Sequence, residues 1–332
     1  MDTRLVLALL FTTLSLATVA SANEAYIRVI DAGGGLCVVA RTPAGSTFVY
    51  DAGSRTAPCI DSVRELAPER TIDLLAIDRI DARKLDDLPE ILAEFQVREI
   101  VYNSDEVSSL IAQTSAVARQ VGAEDLPFGH SFDLGDARVV YVAGWQDGAD
   151  TRGRGEPRRS RNFERAAATI MVQFQYGPHS VLMAGASVGS PQRRPRSCRY
   201  GERIMVENSS HVPIDSDAIV FGAAHMSACF IEAVSPAFVV AGHIGSEFED
   251  RLVTAGVTRA NMFSTTFDEC PQLGSALDDS YIPCRERARD DDVELWLPHD
   301  GPLRAAYRRP RFVRDAVRSS QGSGSSEQPP PQ

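Results

Sequence analysis

The sequence predicts one mixed α/β domain, and three features carry that prediction. Three strand-like runs near the start are separated only by short turns, which describes an antiparallel meander. Short apolar runs then alternate with amphipathic stretches of helical period, the pattern of strands connected by helices. The composition suits a packed core. Of 332 residues, 43% are hydrophobic and 24% charged, which excludes a disordered, collagenous or multi-span membrane chain. The balance of 34 Lys+Arg against 45 Asp+Glu gives −11 at pH 7. That argues against a general binder of nucleic acid or anionic membrane, while leaving room for a local basic patch.

The first strand starts at Tyr26 and carries Ile27, Val29 and Ile30 before the break Gly33-Gly34-Gly35. A second runs from Leu36 to Arg41 and turns at Pro43-Ala44-Gly45; a third, Thr47 to Tyr50, ends at Asp51-Ala52-Gly53. Ser62 to Leu66 reads as helix and Ile72 to Ile77 as a short, wholly apolar strand. Leu85 to Phe95 is amphipathic at helical spacing, Glu99 to Tyr102 is a strand, and Val107 to Val121 reads as a further helix. Strands are expected around Ser131 to Leu134 and Val139 to Val142. Thr151 to Arg165 is an Arg- and Gly-rich loop, followed by a hairpin of Thr169 to Tyr176 and Ser180 to Met183 turning at Gly177-Pro178. Pro191 to Arg203 is a second Arg-rich loop. A strand (Ala218 to Phe221), helix (Ala228 to Ala233), strand (Phe238 to Val240) and helix (Glu247 to Ala255) follow. Strands near Ala260 to Phe263, at Asp292 to Leu297 and at Leu303 to Tyr307 complete the set.

The chain ends set the domain limits. Arg4 precedes the largely apolar run Leu5 to Val19, and Ala20-Ser21-Ala22 fits the small-x-small cleavage pattern. That run is too short to span comfortably and no later stretch reaches spanning length. Residues 1–22 are therefore expected to be a secretory signal peptide, cleaved near Ala22 to leave a secreted or periplasmic protein with no stable membrane span. The domain itself is expected to cover 23–314, and the Ser-, Gly-, Gln- and Pro-rich residues 315–332 a disordered tail. The six cysteines (Cys37, Cys59, Cys198, Cys229, Cys270 and Cys284) include no Cys-x-x-Cys, which argues against a structural zinc knuckle. Six cysteines in an oxidising compartment allow up to three disulfides and fifteen pairings. Cys270 with Cys284 is the best single pairing, because the two bracket a Pro-, Gly-, Ser- and Asp-rich stretch that reads as a stapled insertion. Buried free thiols are the plain alternative.

Taken in order, Ile30-Asp31-Ala32-Gly33-Gly34-Gly35, Arg41-Thr42-Pro43-Ala44-Gly45 and Tyr50-Asp51-Ala52-Gly53 resemble the opening of the metallo-β-lactamase fold. The version they resemble is the ComEC-like domain of DNA-uptake competence proteins. Phe132-Asp133-Leu134-Gly135-Asp136, the hairpin up to Gly185, and Glu232-Ala233-Val234-Ser235-Pro236 extend the likeness over most of 24–313. The resemblance implies an αββα sandwich of two mixed sheets flanked by helices. In active members it also implies two metal ions that activate water for hydrolysis.

The ligand motifs are where this sequence departs. Where the family has His-x-His-x-Asp-His, the chain reads Asp78-Arg79-Ile80-Asp81-Ala82-Arg83-Lys84, so Arg79, Asp81, Arg83 and Lys84 stand at ligand positions. Arg does not deprotonate and Lys normally stays an ammonium, which leaves Asp81 alone able to coordinate. Ala186 stands where the family has its bridging carboxylate, and Ala223 and Ala224 stand in its later two-histidine motif. His243, in Gly242-His243-Ile244-Gly245, is the one late ligand position still held by histidine. Asp81 and His243 alone fall far short of a two-metal centre.

Cations in place of ligands admit two readings. Asp78, Asp81, Asp86 and Asp87 around Arg79, Arg83 and Lys84, the only lysine, fit a solvated, salt-bridged helix start. The sharper reading is a pocket whose guanidinium groups hold an anion bidentately. Arg152, Arg154, Arg158, Arg159, Arg161 and Arg165 precede the hairpin, and Arg193, Arg194, Arg196, Arg199 and Arg203 follow it. Those two positions share one end of an antiparallel hairpin. Arg79, Arg83, Lys84, Arg158, Arg159, Arg194 and Arg196 are therefore the anion-binding candidates, suited to a phosphate or sulfate polymer. Two solvated loops are the plain alternative. Only Phe163 and Tyr200 offer stacking, so single-strand recognition has weak support.

Other nucleophile chemistry fares worse. Gly185-Ala186-Ser187-Val188-Gly189 has the spacing of a nucleophile elbow, yet a Pro- and Arg-rich segment follows it and the meander is wrong for that hydrolase class. His130, His179, His211 and His299 have no ligand spacing. The function these residues predict is a secreted, catalytically inactive metallo-β-lactamase-fold protein acting as a binding or assembly component. It has no catalytic residue and no cofactor, and its partner is an anionic polymer or an envelope protein. The alternative is a metal-dependent hydrolase (phosphodiesterase, nuclease or lactamase-like) with a reduced or relocated site holding zinc or manganese.

Overall fold

Strands buried on both faces are apolar throughout rather than alternating, and such strands build the framework here. The computed structural model describes residues 23–30, 36–53, 59–77, 87–103, 105–143, 170–185, 198, 200–222, 226–242, 244, 246–265 and 292–308. The first half runs β1 (Glu24–Ile30), β2 (Cys37–Arg41), β3 (Thr47–Tyr50), α1 (Cys59–Leu66), β4 (Thr71–Ala76), α2 (Leu88–Glu94), β5 (Gln96–Tyr102), α3 (Asp105–Ile111) and β6 (Val117–Gly122). Next come β7 (Ser131–Asp133), β8 (Ala137–Ala143), β9 (Met171–Tyr176), β10 (His179–Met183), α4 (Tyr200–Asn208), β11 (Ala218–Phe221) and α5 (Ala228–Val234). The last are β12 (Phe238–Ala241), α6 (Ser246–Thr254), β13 (Met262–Ser264), β14 (Val293–Pro298) and β15 (Arg304–Tyr307).

The described strands form two mixed sheets. One has the order β15-β14-β1-β2-β3-β4-β5-β6, the other β13-β12-β11-β10-β9-β8-β7. β1, β2 and β3 make the expected meander, and β3 through β6 then run parallel. In the second sheet β7 through β10 are antiparallel and β10 through β13 parallel. Ile27, Phe48, Tyr50 and Leu74 of the first sheet and Val139, Phe174, Val181 and Val220 of the second share one buried cluster between the sheets. Their intervening neighbours face outward. Val39, Val49 and Leu75 pack under Ile60 and Val63 of α1, Ile91 of α2 and Val107 of α3. Leu182, Ile219 and Phe221 pack under Met205 of α4, Phe230 of α5 and Phe248 of α6. The result is four layers, an αββα sandwich, as the resemblance implies.

Two elements differ from the sequence expectation. Val107 to Val121 is not one helix: α3 stops at Ile111 and Val117 begins β6. The valines that fit a helical period also fit an edge strand, and pairing Val97 with Val117 and Val101 with Val121 decides the outcome. Pro191 to Arg203 is not loop throughout, because α4 begins at Tyr200. Tertiary contacts stabilise that helix: buried Met205 packs beneath it, and the buried Glu202 carboxylate accepts the Ser227 N–H at 2.8 Å. Cysteines are joined as Cys37–Cys59 and Cys198–Cys229, with Cα separations of 5.9 and 5.3 Å. Each such closure stabilises by about 3–4 kcal/mol in the chain-entropy account. Cys270 and Cys284 lie outside the described residues, as do the signal-peptide and tail segments.

One polar cluster stitches the edge of the first sheet to α1. The Arg28 side chain, only 4% exposed, donates to both Glu65 oxygens at 2.9 and 3.1 Å and lies 3.5 Å from Glu294. Arg308 at the end of β15 reaches Glu65 at 2.8 Å and Asp292 at 3.7 Å. Tyr26 donates its hydroxyl to Glu294 and accepts from Arg28 Nε at 3.0 Å. Burial pushes the Tyr26 hydroxyl up and works against the Arg28 charge, but Glu65 and Tyr26 together outweigh it and Arg28 stays protonated. The Arg28 bonds hold the Glu65 carboxyl below the usual carboxylate range.

Two predictions follow from this packing. Phe174 is fully buried and stacks on Phe48 across the two sheets at 6.3 Å. Phe174→Ala is expected to lower the urea unfolding free energy by about 3–5 kcal/mol. Gln120→Ala on the exposed edge strand changes it by less than about 0.5 kcal/mol. Glu65 is half-exposed, so Glu65→Gln costs only about 1–2 kcal/mol at pH 7 after solvent screening. A depressed carboxylate stabilises above its unfolded pKa and loses that gain as pH falls through the folded one. The gap between wild type and Glu65→Gln should therefore narrow below about pH 4. A gap unchanged from pH 7 to pH 2 contradicts the assignment.

Candidate functional site

Parallel strands bring their carboxyl ends to one edge of a sheet, and open α/β sheets bind ligands there. In this chain both sheets present those ends on the same side. The first sheet contributes the ends of β3, β4 and β5, at Asp51, Ile77 and Asn103. From the second come the ends of β10 to β13, at Gly185, Gly222, Gly242 and Thr265. The antiparallel members fall into line: β8 ends there at Ala143 and β9 starts there after Ile170. Two tyrosine hydroxyls tie the sheets together along this rim. Tyr50 donates to Ile170 O at 2.6 Å, and Tyr307 Oη accepts the Ser264 N–H at 3.0 Å.

The chain leaves the first sheet through a tight corner. Asp51 is fully buried at φ 63°, its N–H donates to Ala76 O at 2.8 Å, and its Oδ1 accepts the Ala52 N–H at 3.1 Å. Aspartate tolerates this left-handed backbone better than most residues. Gly53 follows at φ 75°, where a Cβ would lie 2.8 Å from Cys59 Cβ. Asp87, just before α2, accepts the Ile60 N–H at 3.3 Å and so fastens the far end of the 78–86 segment to α1.

In the second sheet the rim is a row of glycines. Gly222 N–H donates to Gly185 O at 2.8 Å, and Gly242 N–H donates to Phe221 O at 3.0 Å. A Cβ on Gly242 would stand 2.3 Å from Gly222 O, so no other residue fits. Thr265 N–H continues the row to Ala241 O at 2.9 Å. Three adjacent strands thus end in glycine, a shelf of backbone whose last described residues carry no side chain. Sequence reasoning missed this shelf. The signal for it was present as a repeated apolar-apolar-Gly at Met183-Ala184-Gly185, Val220-Phe221-Gly222 and Val240-Ala241-Gly242.

The candidate positions attach to this rim. Arg79, Asp81, Arg83 and Lys84 lie between Ile77 and Asp87; Ala186 follows Gly185; Ala223 and Ala224 follow Gly222; His243 follows Gly242. Arg158 and Arg159 lie between Ala143 and Ile170, and Arg194 and Arg196 between Gly185 and Cys198. All of these side chains lie outside the described residues. Among the described residues no three His, Cys, Asp or Glu side chains gather as a metal site. His179 and His299 sit at the opposite end of the sandwich. There His179 Nε2 bonds Gly301 O at 2.8 Å and Nδ1 lies 3.4 Å from Asp217, a structural bridge between the sheets.

No protein-family model matches the sequence, and no curated protein matches it. Among solved structures, the metallo-β-lactamase fold protein YhfI from Bacillus subtilis is similar at 9% identity and a TM-score of 0.45, covering 70% of this chain and 93% of its own. The metallo hydrolase Igni18 from Ignicoccus hospitalis is similar at 11% identity and a TM-score of 0.45, over 72% of this chain and 94% of its own. An isothiocyanate hydrolase from Delia radicum gut bacteria is similar at 12% and 0.43, again over 72% and 94%. At such identities and scores these carry no weight on activity, and the four-layer fold stands on the chain's own topology.

The glycine shelf makes its own prediction. Gly242→Ala forces backbone against backbone and is expected to cost about 3 kcal/mol or more, the upper end for overpacking. Gly256→Ala meets nothing within 4 Å and bears only the strain of φ +95°, about 1–2 kcal/mol. Equal urea midpoints for the two variants contradict the close approach of Gly242 to Gly222.

Proposed function

We propose that this chain is an exported, catalytically inactive metallo-β-lactamase-fold protein that binds an anionic ligand at the strand-end rim. The observation that carries the reading is where the cation-bearing segments are anchored. Residues 78–86, with Arg79, Arg83 and Lys84, leave β4 at Ile77, between the ends of β3 and β5. The segments bearing Arg158, Arg159, Arg194 and Arg196 are anchored at Ala143, Ile170 and Gly185 on the facing sheet. A guanidinium can hold a phosphate or sulfate oxygen pair bidentately, which an ammonium cannot.

The donor set does not fit the two metal ions that the resemblance implies. Arg and Lys have no lone pair to give at neutral pH, the Ala side chain has none at all, and of the aligned ligand positions only Asp81 and His243 hold a coordinating residue. Export is supported by Arg4, the apolar run to Val19 and Ala20-Ser21-Ala22. The Cys37–Cys59 and Cys198–Cys229 bonds fit an oxidising compartment. Among the described residues no helix is long and apolar enough to cross a membrane.

The test is thermal unfolding of the full chain with inorganic phosphate, sulfate, polyphosphate and an oligonucleotide. At a hundredfold excess over Kd, a bound anion adds about 2.7 kcal/mol and is expected to raise the midpoint by about 4–8 °C. The gain should fall with added salt and be largely lost in the Arg79→Ala, Arg83→Ala double variant. No shift with any of the four anions overturns the reading, and so does a shift that the double variant retains in full.

A further inference from the structure

We propose that the Cys198–Cys229 bond is a thiol–disulfide exchange site for a small dithiol, whereas Cys37–Cys59 is a permanent structural bond. The two bonds lie on the same rim, one on each sheet, yet their surroundings differ. Cys37 and Cys59 are both fully buried in the layer beneath α1 and α2. Gly53 crosses so closely that even a Cβ there would stand 2.8 Å from Cys59 Cβ. A nucleophile has no approach to either sulfur. Cys198 and Cys229 are only partly buried, at the margin of the outer helix layer.

A second feature gives the less buried bond a direction. Ser227 Oγ lies 3.8 Å from Cys229 Sγ, and it accepts the Phe230 N–H at 3.3 Å. With its lone pair engaged by that amide, the Ser227 hydroxyl turns its proton to the sulfur. An S–H or O–H donor beside one sulfur favours that sulfur as the leaving thiolate, since exchange accelerates as the leaving group is stabilised. The dithiol's thiolate therefore attacks Cys198 Sγ, and the S–S electron pair departs to Cys229 Sγ, which then takes a proton from water. The mixed disulfide at Cys198 is resolved by the second thiol of the reagent. Two protein thiols form and the dithiol leaves oxidised to its own disulfide.

Cys198 follows Arg193, Arg194 and Arg196 in sequence, so exchange breaks the covalent tie between that part of the chain and α5. This consequence rests on the anion-binding reading above; the exchange itself does not. The experiment treats the folded full chain with dithiothreitol, traps thiols with a maleimide and quantifies each cysteine by peptide mass spectrometry. Cys198 and Cys229 are expected to label at least about tenfold faster than Cys37 and Cys59. Equal rates, or labelling of Cys198 and Cys229 only when circular dichroism reports unfolding, overturn the proposal. Ser227→Gly preserves the helix start to within a few tenths of a kcal/mol and should slow labelling several-fold; an unchanged rate overturns the assigned direction. Thermal shift with polyphosphate on the oxidised chain tests the anion reading separately, and its loss on reduction ties the two together.

Discussion

The central strands of both sheets are buried on both faces, and that constraint settles where this chain can carry chemistry. A strand such as β11, Ala-Ile-Val-Phe and buried along all four of its residues, has no position to spare for a charged side chain. Functional groups are left to the places where strands stop. Because β3 to β6 and β10 to β13 are parallel within their sheets, their stops coincide at one rim. The opposite end has tight turns, Gly177-Pro178 among them, that only reverse the chain.

The rim is held by groups that belong to the framework. Tyr50 to Ile170 and Tyr307 to Ser264 span the two sheets; Cys37–Cys59 and Cys198–Cys229 fasten helix starts to strand ends and loops. The glycine row lets β10, β11 and β12 converge without side-chain interference. At the far edge, Arg28, Glu65 and Arg308 fix β1, α1 and β15 to one another.

Much of this was legible in the sequence, for physical reasons. Doubly buried strands give short apolar runs punctuated by Gly and Pro, so Thr47–Tyr50 and Ala218–Phe221 read off directly. The hairpin around Gly177 also reads directly from its turn residues. β6 did not, since Val117 and Val121 suit either period and only pairing with β5 decides. α4 was hidden by arginine-rich composition and is stabilised by contacts distant in sequence, such as Glu202 with Ser227. Cysteine pairing depends on which strand ends meet, information that local sequence lacks; the best guess from composition, Cys270 with Cys284, lies outside the described residues. For the candidate site, sequence names the residue types and the fold supplies their anchors. Arg79 is two residues beyond Ile77, and no local pattern says what faces Ile77 from the other sheet.

The proposed role follows from a substitution of charge for coordination: segments carrying Arg and Lys leave the rim at sequence positions where the resemblance implies metal ligands. The central claim is that this rim binds anions without metal. Elemental analysis of the purified mature chain, after incubation with zinc and manganese and removal of excess, tests it most directly. The account predicts no stoichiometric metal retained. About two tightly held ions per chain would contradict it and return the rim to hydrolytic chemistry.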